Sequence, residues 1–98
     1  MTGYRKLLEA SAGTIKKEIK LLCTGAVQAE VRDFFGTDAE YKMKDSGDLT
    51  VTAELPENGK FYGWLTGMGG SVRILKPKKS VAAYRDYLKS LAKDYKGL

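Results

Sequence analysis

The sequence predicts an α+β domain in which helices cover one face of an antiparallel sheet. Two observations lead there: four segments alternate apolar and polar residues with a period of two, and segments with helical spacing stand between them and at both ends. A third is the turn cluster Asp45-Ser46-Gly47-Asp48, set between two alternating runs so that they can pair as a hairpin.

Residues 4–12 carry Leu7, Leu8 and Ala12 on a short helical stripe, with Gly13 as its stop. A helix this short does not hold its shape alone in water, so it must pack on a partner, inside this chain or beyond it. From Glu18 the pattern changes. Ile19, Leu21 and Cys23 alternate with Lys20, Leu22 and Thr24 until Gly25 closes the strand. Residues 26–35 return to helical spacing, with Val27, Val31, Phe34 and Phe35 on one face and Gly36 as the stop. In residues 39–44, Tyr41 and Met43 alternate with Glu40, Lys42 and Lys44.

Gly47 supplies the positive φ that the hairpin turn needs. The return strand, 49–55, has the clearest alternation of all: Leu49, Val51, Ala53 and Leu55 against Thr50, Thr52 and Glu54. Pro56-Glu57-Asn58-Gly59 breaks it. Phe61, Trp64, Leu65 and Met68 then fall at i, i+3, i+4 and i+7, a helical face that Gly67, Gly69 and Gly70 terminate. Gly63 and Gly67, four apart, are expected to let this helix approach the sheet closely. Residues 71–76 form a short strand, with Val72 and Ile74 inward, that stops at Pro77. The last helix, 80–95, sets Val81, Tyr84, Leu88, Leu91 and Tyr95 on one stripe, with Ser80 as the expected N-cap.

The order β-α-β-β-α-β is that of the ferredoxin-like, or split-βαβ, arrangement, here with a short N-terminal helix and an additional C-terminal one. Neither a linker, a repeat nor a low-complexity tract divides it. A length of 98 residues suits one domain, and a hydrophobic fraction of 43% with ten aromatic residues suits a packed core. No apolar run is long enough to span a bilayer. The start of the chain lacks the apolar stretch of a signal peptide, and one cysteine, Cys23, forms no internal disulfide. A reducing, cytoplasmic setting is therefore expected.

Histidine is absent, which removes the commonest general base and metal ligand. Cys23 has no activating partner and lies on the inward face of its strand, so it reads as a core thiol. Gly67-Met68-Gly69-Gly70 fails as a phosphate loop: Val72 stands at the last glycine position of the fingerprint, and the loop leaves a helix instead of opening one. Glu30 and Asp33 lie three apart with no nucleophile or metal set beside them. No catalytic residue, metal ligand or cofactor is expected. An open sheet of this type can stack RNA bases, but only with aromatic residues on its central strands. The outward positions are Lys20, Leu22 and Thr24 on one and Thr50, Thr52 and Glu54 on the other. Lys20, Lys42, Lys44 and Arg73 form a basic group on that face, and Lys76, Lys78 and Lys79 a second around Pro77, within a net charge of +5. Such groups serve either as phosphate contacts or as a solvated surface.

Two stretches resemble a known family. Leu21-Leu22-Cys23-Thr24-Gly25 with Val31-Arg32-Asp33-Phe34-Phe35-Gly36 looks like the opening of the C-terminal extension (WCX) domain of WYL-domain transcriptional regulators. Phe61-Tyr62-Gly63-Trp64-Leu65-Thr66-Gly67-Met68-Gly69-Gly70-Ser71-Val72-Arg73-Ile74-Leu75-Lys76-Pro77 resembles that family's helix–glycine–strand–proline segment, and the closing helix fits too. The resemblance implies that residues 18–98 are the WCX-type domain and that residues 1–17 are the tail of a preceding WYL domain. It also implies self-association, contact with a WYL domain and a share in relaying a sensed signal, with DNA reached only through a helix-turn-helix that these residues lack. The apolar side chains expected at such contacts are Leu7, Leu8, Tyr84, Tyr87 and Tyr95. The rival reading is a domain that itself binds nucleic acid or a nucleotide through Lys20, Lys42, Lys44 and Arg73.

Overall fold

The computed structural model describes residues 1–97. Its elements are α1 (Gly3–Ala10), β1 (Lys16–Cys23), α2 (Gln28–Phe35), β2 (Glu40–Met43), β3 (Leu49–Pro56), α3 (Gly59–Gly67), β4 (Val72–Lys76) and α4 (Lys78–Asp94). Short 3-10 turns at Gly25–Val27 and Gly69–Ser71 lead into α2 and β4. The four strands make one antiparallel sheet in the order β2-β3-β1-β4.

Register places the apolar residues on one side. Ile19 faces Ala53, Leu21 faces both Val51 and Ile74, and Cys23 faces both Leu49 and Val72. These side chains pack with Val31 and Phe35 of α2 and Phe61 and Leu65 of α3 into one core. Each fully buried Leu, Ile or Phe contributes about 1.5–3 kcal/mol of hydrophobic stabilisation before chain entropy is counted. The alternation seen in the sequence thus becomes a two-layer structure. Glycine serves where the backbone needs positive φ: Gly36 takes φ 61° after α2, and Gly47 takes φ 90° in the hairpin.

The partner of α1 lies within the chain. Thr2 caps the helix by accepting from the Arg5 N–H, and Tyr4 and Leu7 enter the common core. Tyr4 donates its hydroxyl to the Glu54 carbonyl at 2.7 Å, and Gly3 lies so close to Phe34 that a Cβ there would stand 2.6 Å from the ring. β1 begins at Lys16, and through Tyr4 and Leu7 α1 shares one core with the sheet.

Several expectations need correction. Gly63 and Gly67 do not mediate close packing, because a Cβ at either would meet nothing within 4 Å; they lie on the wet side of α3. Met43 ends the edge strand β2 and is exposed despite its inward parity. Ser80 is not an N-cap. α4 starts earlier, at Lys78 after Pro77, and the buried Ser80 hydroxyl donates to Glu57. Most of the stripe on α4 does not reach the core: Val81, Leu88, Leu91 and Tyr95 are 37%, 38%, 41% and 73% exposed. The sheet ends before it can cover them. α4 runs about 25 Å at 1.5 Å per residue, whereas β4 spans about 17 Å at 3.3 Å per residue.

Candidate functional site

Two concave places and one apolar stripe hold the side chains that could meet a partner. The first place is the open face of the sheet. Lys20 and Lys42 project from neighbouring rows of β1 and β2, and Lys44 follows β2, so that all three border a hollow of about 320 Å³ with Thr50 and Asp45. Thr50 is buried there, between Leu22 and Lys42 in register, and its hydroxyl donates to the Lys42 carbonyl at 3.4 Å. The opposite end of the same face is acidic: Glu18 and Glu54 are direct register partners, and Glu40 faces Thr52. The basic surface is therefore local. Arg73 faces Leu22 on the far side of β1 and does not join the three lysines.

This face carries no ring at its centre. Tyr41 pairs with Val51 on the covered side, donates its hydroxyl to the Gly36 carbonyl at 2.6 Å and holds the Arg32 guanidinium 4.7 Å above its ring. Base stacking on the two central strands has no aromatic platform.

The second place is a groove of about 460 Å³ between β4 and α4, lined by Val72 and Ile74 on one side and by Val81, Tyr84 and Leu88 on the other. Arg73 and Arg85 stand at its rim, and neither forms an ion pair among the described residues. Tyr84 bonds the Thr66 hydroxyl at 2.8 Å, and it packs with Tyr87 around Tyr62 at ring separations of 5.2 and 4.7 Å. These contacts hold the first half of α4 to α3 and leave the groove open beside them.

Of the side chains expected at contacts, Leu7 is buried in the core, and Leu8, Tyr84 and Tyr87 are half-buried against it. Tyr95 is exposed and continues the stripe of the half-exposed Leu88 and Leu91 along α4. Burial pushes the Cys23 thiol up to about 11, and burial also raises Tyr4, Tyr41 and Tyr62. A thiol in that state is protonated at neutral pH and is no nucleophile. Among the described residues, no three His, Cys, Asp or Glu side chains gather as metal ligands, and no helix is long and apolar enough to cross a membrane.

A family model for the WCX domain matches residues 16–92, which takes in the whole sheet, α2, α3 and nearly all of α4. The chain belongs to the WCX-domain family. The match begins at the first residue of β1 and leaves α1 outside, although in this WCX domain α1 is part of the core. No curated protein matches the chain.

Residue patterns missed the groove. Val81 and Leu88 have the spacing of core residues, and only the place of α4 beyond the edge of β4 leaves them open. Arg85 sits among other charges of α4, and nothing local distinguishes it. Glu57 was legible only as part of a loop, yet it accepts from Ser80 and Tyr62 and lies 3.4 Å from Lys17.

Proposed function

We propose that this WCX domain is the C-terminal dimerisation and signal-relay module of a WYL-type transcriptional regulator, acts in the cytoplasm and carries no catalysis of its own. One observation carries the reading beyond family membership: Leu88, Leu91 and Tyr95 form an apolar stripe along α4 that stays exposed among the described residues. Apolar and aromatic surface left open in this way is typical of contact sites. We read the strand order β2-β3-β1-β4 as the ferredoxin-like arrangement, with α4 added at the β4 side. In such a regulator, operator DNA is met by a helix-turn-helix elsewhere, while this domain contacts its own copy and a WYL domain.

The test is made in the regulator that carries the domain. Leu91→Asp with Tyr95→Asp is expected to dissociate the dimer and abolish the response of operator binding to effector, with the melting of the domain unchanged. An intact dimer with a normal response rejects the reading.

A second reading, direct binding of a nucleotide or nucleic acid, is favoured by the gathering of Lys20, Lys42 and Lys44 around one hollow. It requires the isolated chain to bind a single-stranded oligonucleotide with an affinity that falls steeply as salt rises. Absence of binding at low salt removes it.

A further inference from the structure

We propose that the free edge of β4, roofed by α4, is the docking site for an extended acidic and apolar peptide segment of another protein, which joins the sheet as a fifth strand. This goes beyond the dimerisation reading and does not depend on it.

The backbone makes the first argument. Among the described residues β4 pairs with β1 alone. The Thr24 N–H donates to the Ser71 carbonyl at 2.9 Å, which makes 24 and 71 a hydrogen-bonded pair. In an antiparallel ladder such pairs alternate, so the Arg73 N–H and C=O point to β1, while those of Val72 and Ile74 point outward. Among the described residues no backbone group pairs with them on that side. Both side chains are buried in the core, while the edge beside them opens on the groove. A sheet edge of this kind is a template for another strand.

The side chains make the second. α4 stands off from the edge and leaves the apolar groove beneath Val81, Tyr84 and Leu88. A strand placed about 4.8 Å from β4 would turn every second side chain into that space. Its apolar residues would then cover Val81 and Leu88, which are exposed for want of a neighbour.

Charge selects the occupant. Arg73 and Arg85 border the groove without ion-pair partners among the described residues, so carboxylates at the intervening positions of the incoming strand gain charge-assisted contacts. A second copy of this chain would bring the same two arginines, on a molecule already carrying +5, against the basic rim. Main-chain pairing with alternate side-chain anchors is the mode by which edge strands recognise peptides.

The experiment titrates the 98-residue chain with a short synthetic peptide alternating valine and glutamate, at low salt. Saturable binding is expected, with slowed amide exchange at Val72 and Ile74. Arg73→Glu with Arg85→Glu, both at exposed positions, should weaken binding by about tenfold or more without altering the melting curve. The same variant should acquire binding to a peptide alternating valine and lysine. Leu88→Glu, which removes the roof and not the rim, should weaken both peptides. The proposal is overturned by binding that survives charge reversal, by exchange protection confined to other strands, or by no binding at low salt. It is equally overturned if the same amides are protected by a concentration-dependent dimer of the chain or by an oligothymidylate.

Discussion

The buried hydroxyl of Ser80 donates to the carboxylate of Glu57, tying the first turn of α4 to the turn between β3 and α3. Tyr62 donates to the other carboxylate oxygen at 3.4 Å, and the Lys17 ammonium lies 3.4 Å away. One acidic side chain thus fixes the start of the helix whose far half carries the exposed Leu88 and Leu91. Ser80→Ala leaves Glu57 with one neutral donor fewer, and it should cost about 1–3 kcal/mol in a urea titration. Loss of exchange protection should begin in α4. An unchanged midpoint would mean that Tyr84 and Tyr87 alone hold the helix.

Two glycines should respond in opposite directions to alanine. At Gly3 a Cβ would lie 2.6 Å from the Phe34 ring, which is itself stacked on Trp64 at 4.4 Å and cannot swing away freely. Gly3→Ala should therefore destabilise by about 1–3 kcal/mol. At Gly63, mid-helix, the added methyl meets open space. Gly63→Ala should stabilise by about 0.5–1 kcal/mol through helix propensity. Thermal melts of the two variants check both signs.

Acid should act through Asp38. Arg5 donates to it from Nε at 2.7 Å and from Nη2 at 3.3 Å, and these bonds hold the carboxyl below its ordinary value. A lowered folded-state value gives stability that is complete above the unfolded value near 3.8 and is lost as pH falls through the folded one. Asp38→Asn should consequently be less stable than the parent at neutral pH and equal to it in strong acid. A gap that persists in strong acid would assign the difference to packing.

Alkali should act through the core. With the Cys23 thiol raised from 9.0 to about 11, the unfolded chain releases its proton first, so stability falls as pH rises across that window. Tyr4, Tyr41 and Tyr62 are raised as well and add with the same sign. Alkylation of Cys23 at mildly alkaline pH should proceed no faster than global unfolding. Rapid labelling would show that β1 opens locally.

The fold was legible where apolar period and burial coincide. Ile19, Leu21 and Cys23, and Leu49, Val51, Ala53 and Leu55, alternate in sequence and lie inward in register. It was not legible where a neighbour decides. Ser80 has the chemistry of a cap, but Pro77 already starts the helix and Glu57, remote in sequence, takes the hydroxyl. Asn58, which looks like part of a strand break, caps α3 by accepting from the Lys60 and Phe61 N–H groups. Gly63 and Gly67 suit close packing by spacing alone, yet they face away from the sheet. Of the basic residues, Lys20, Lys42 and Lys44 line one hollow, whereas Arg73 lines the groove, because β4 lies beyond β1 from them. Val81, Leu88 and Leu91 on α4 have the spacing of core residues, because sequence gives their period but not the edge of the sheet below them.

If the far half of α4 is a surface for assembly, as proposed, amide hydrogen exchange compared between the isolated domain and the assembled regulator will register it. Slowed exchange from Leu88 to Asp94 on assembly is expected, with α2 and β3 unchanged. Equal exchange over α4 in the two states, with protection appearing elsewhere, would contradict it.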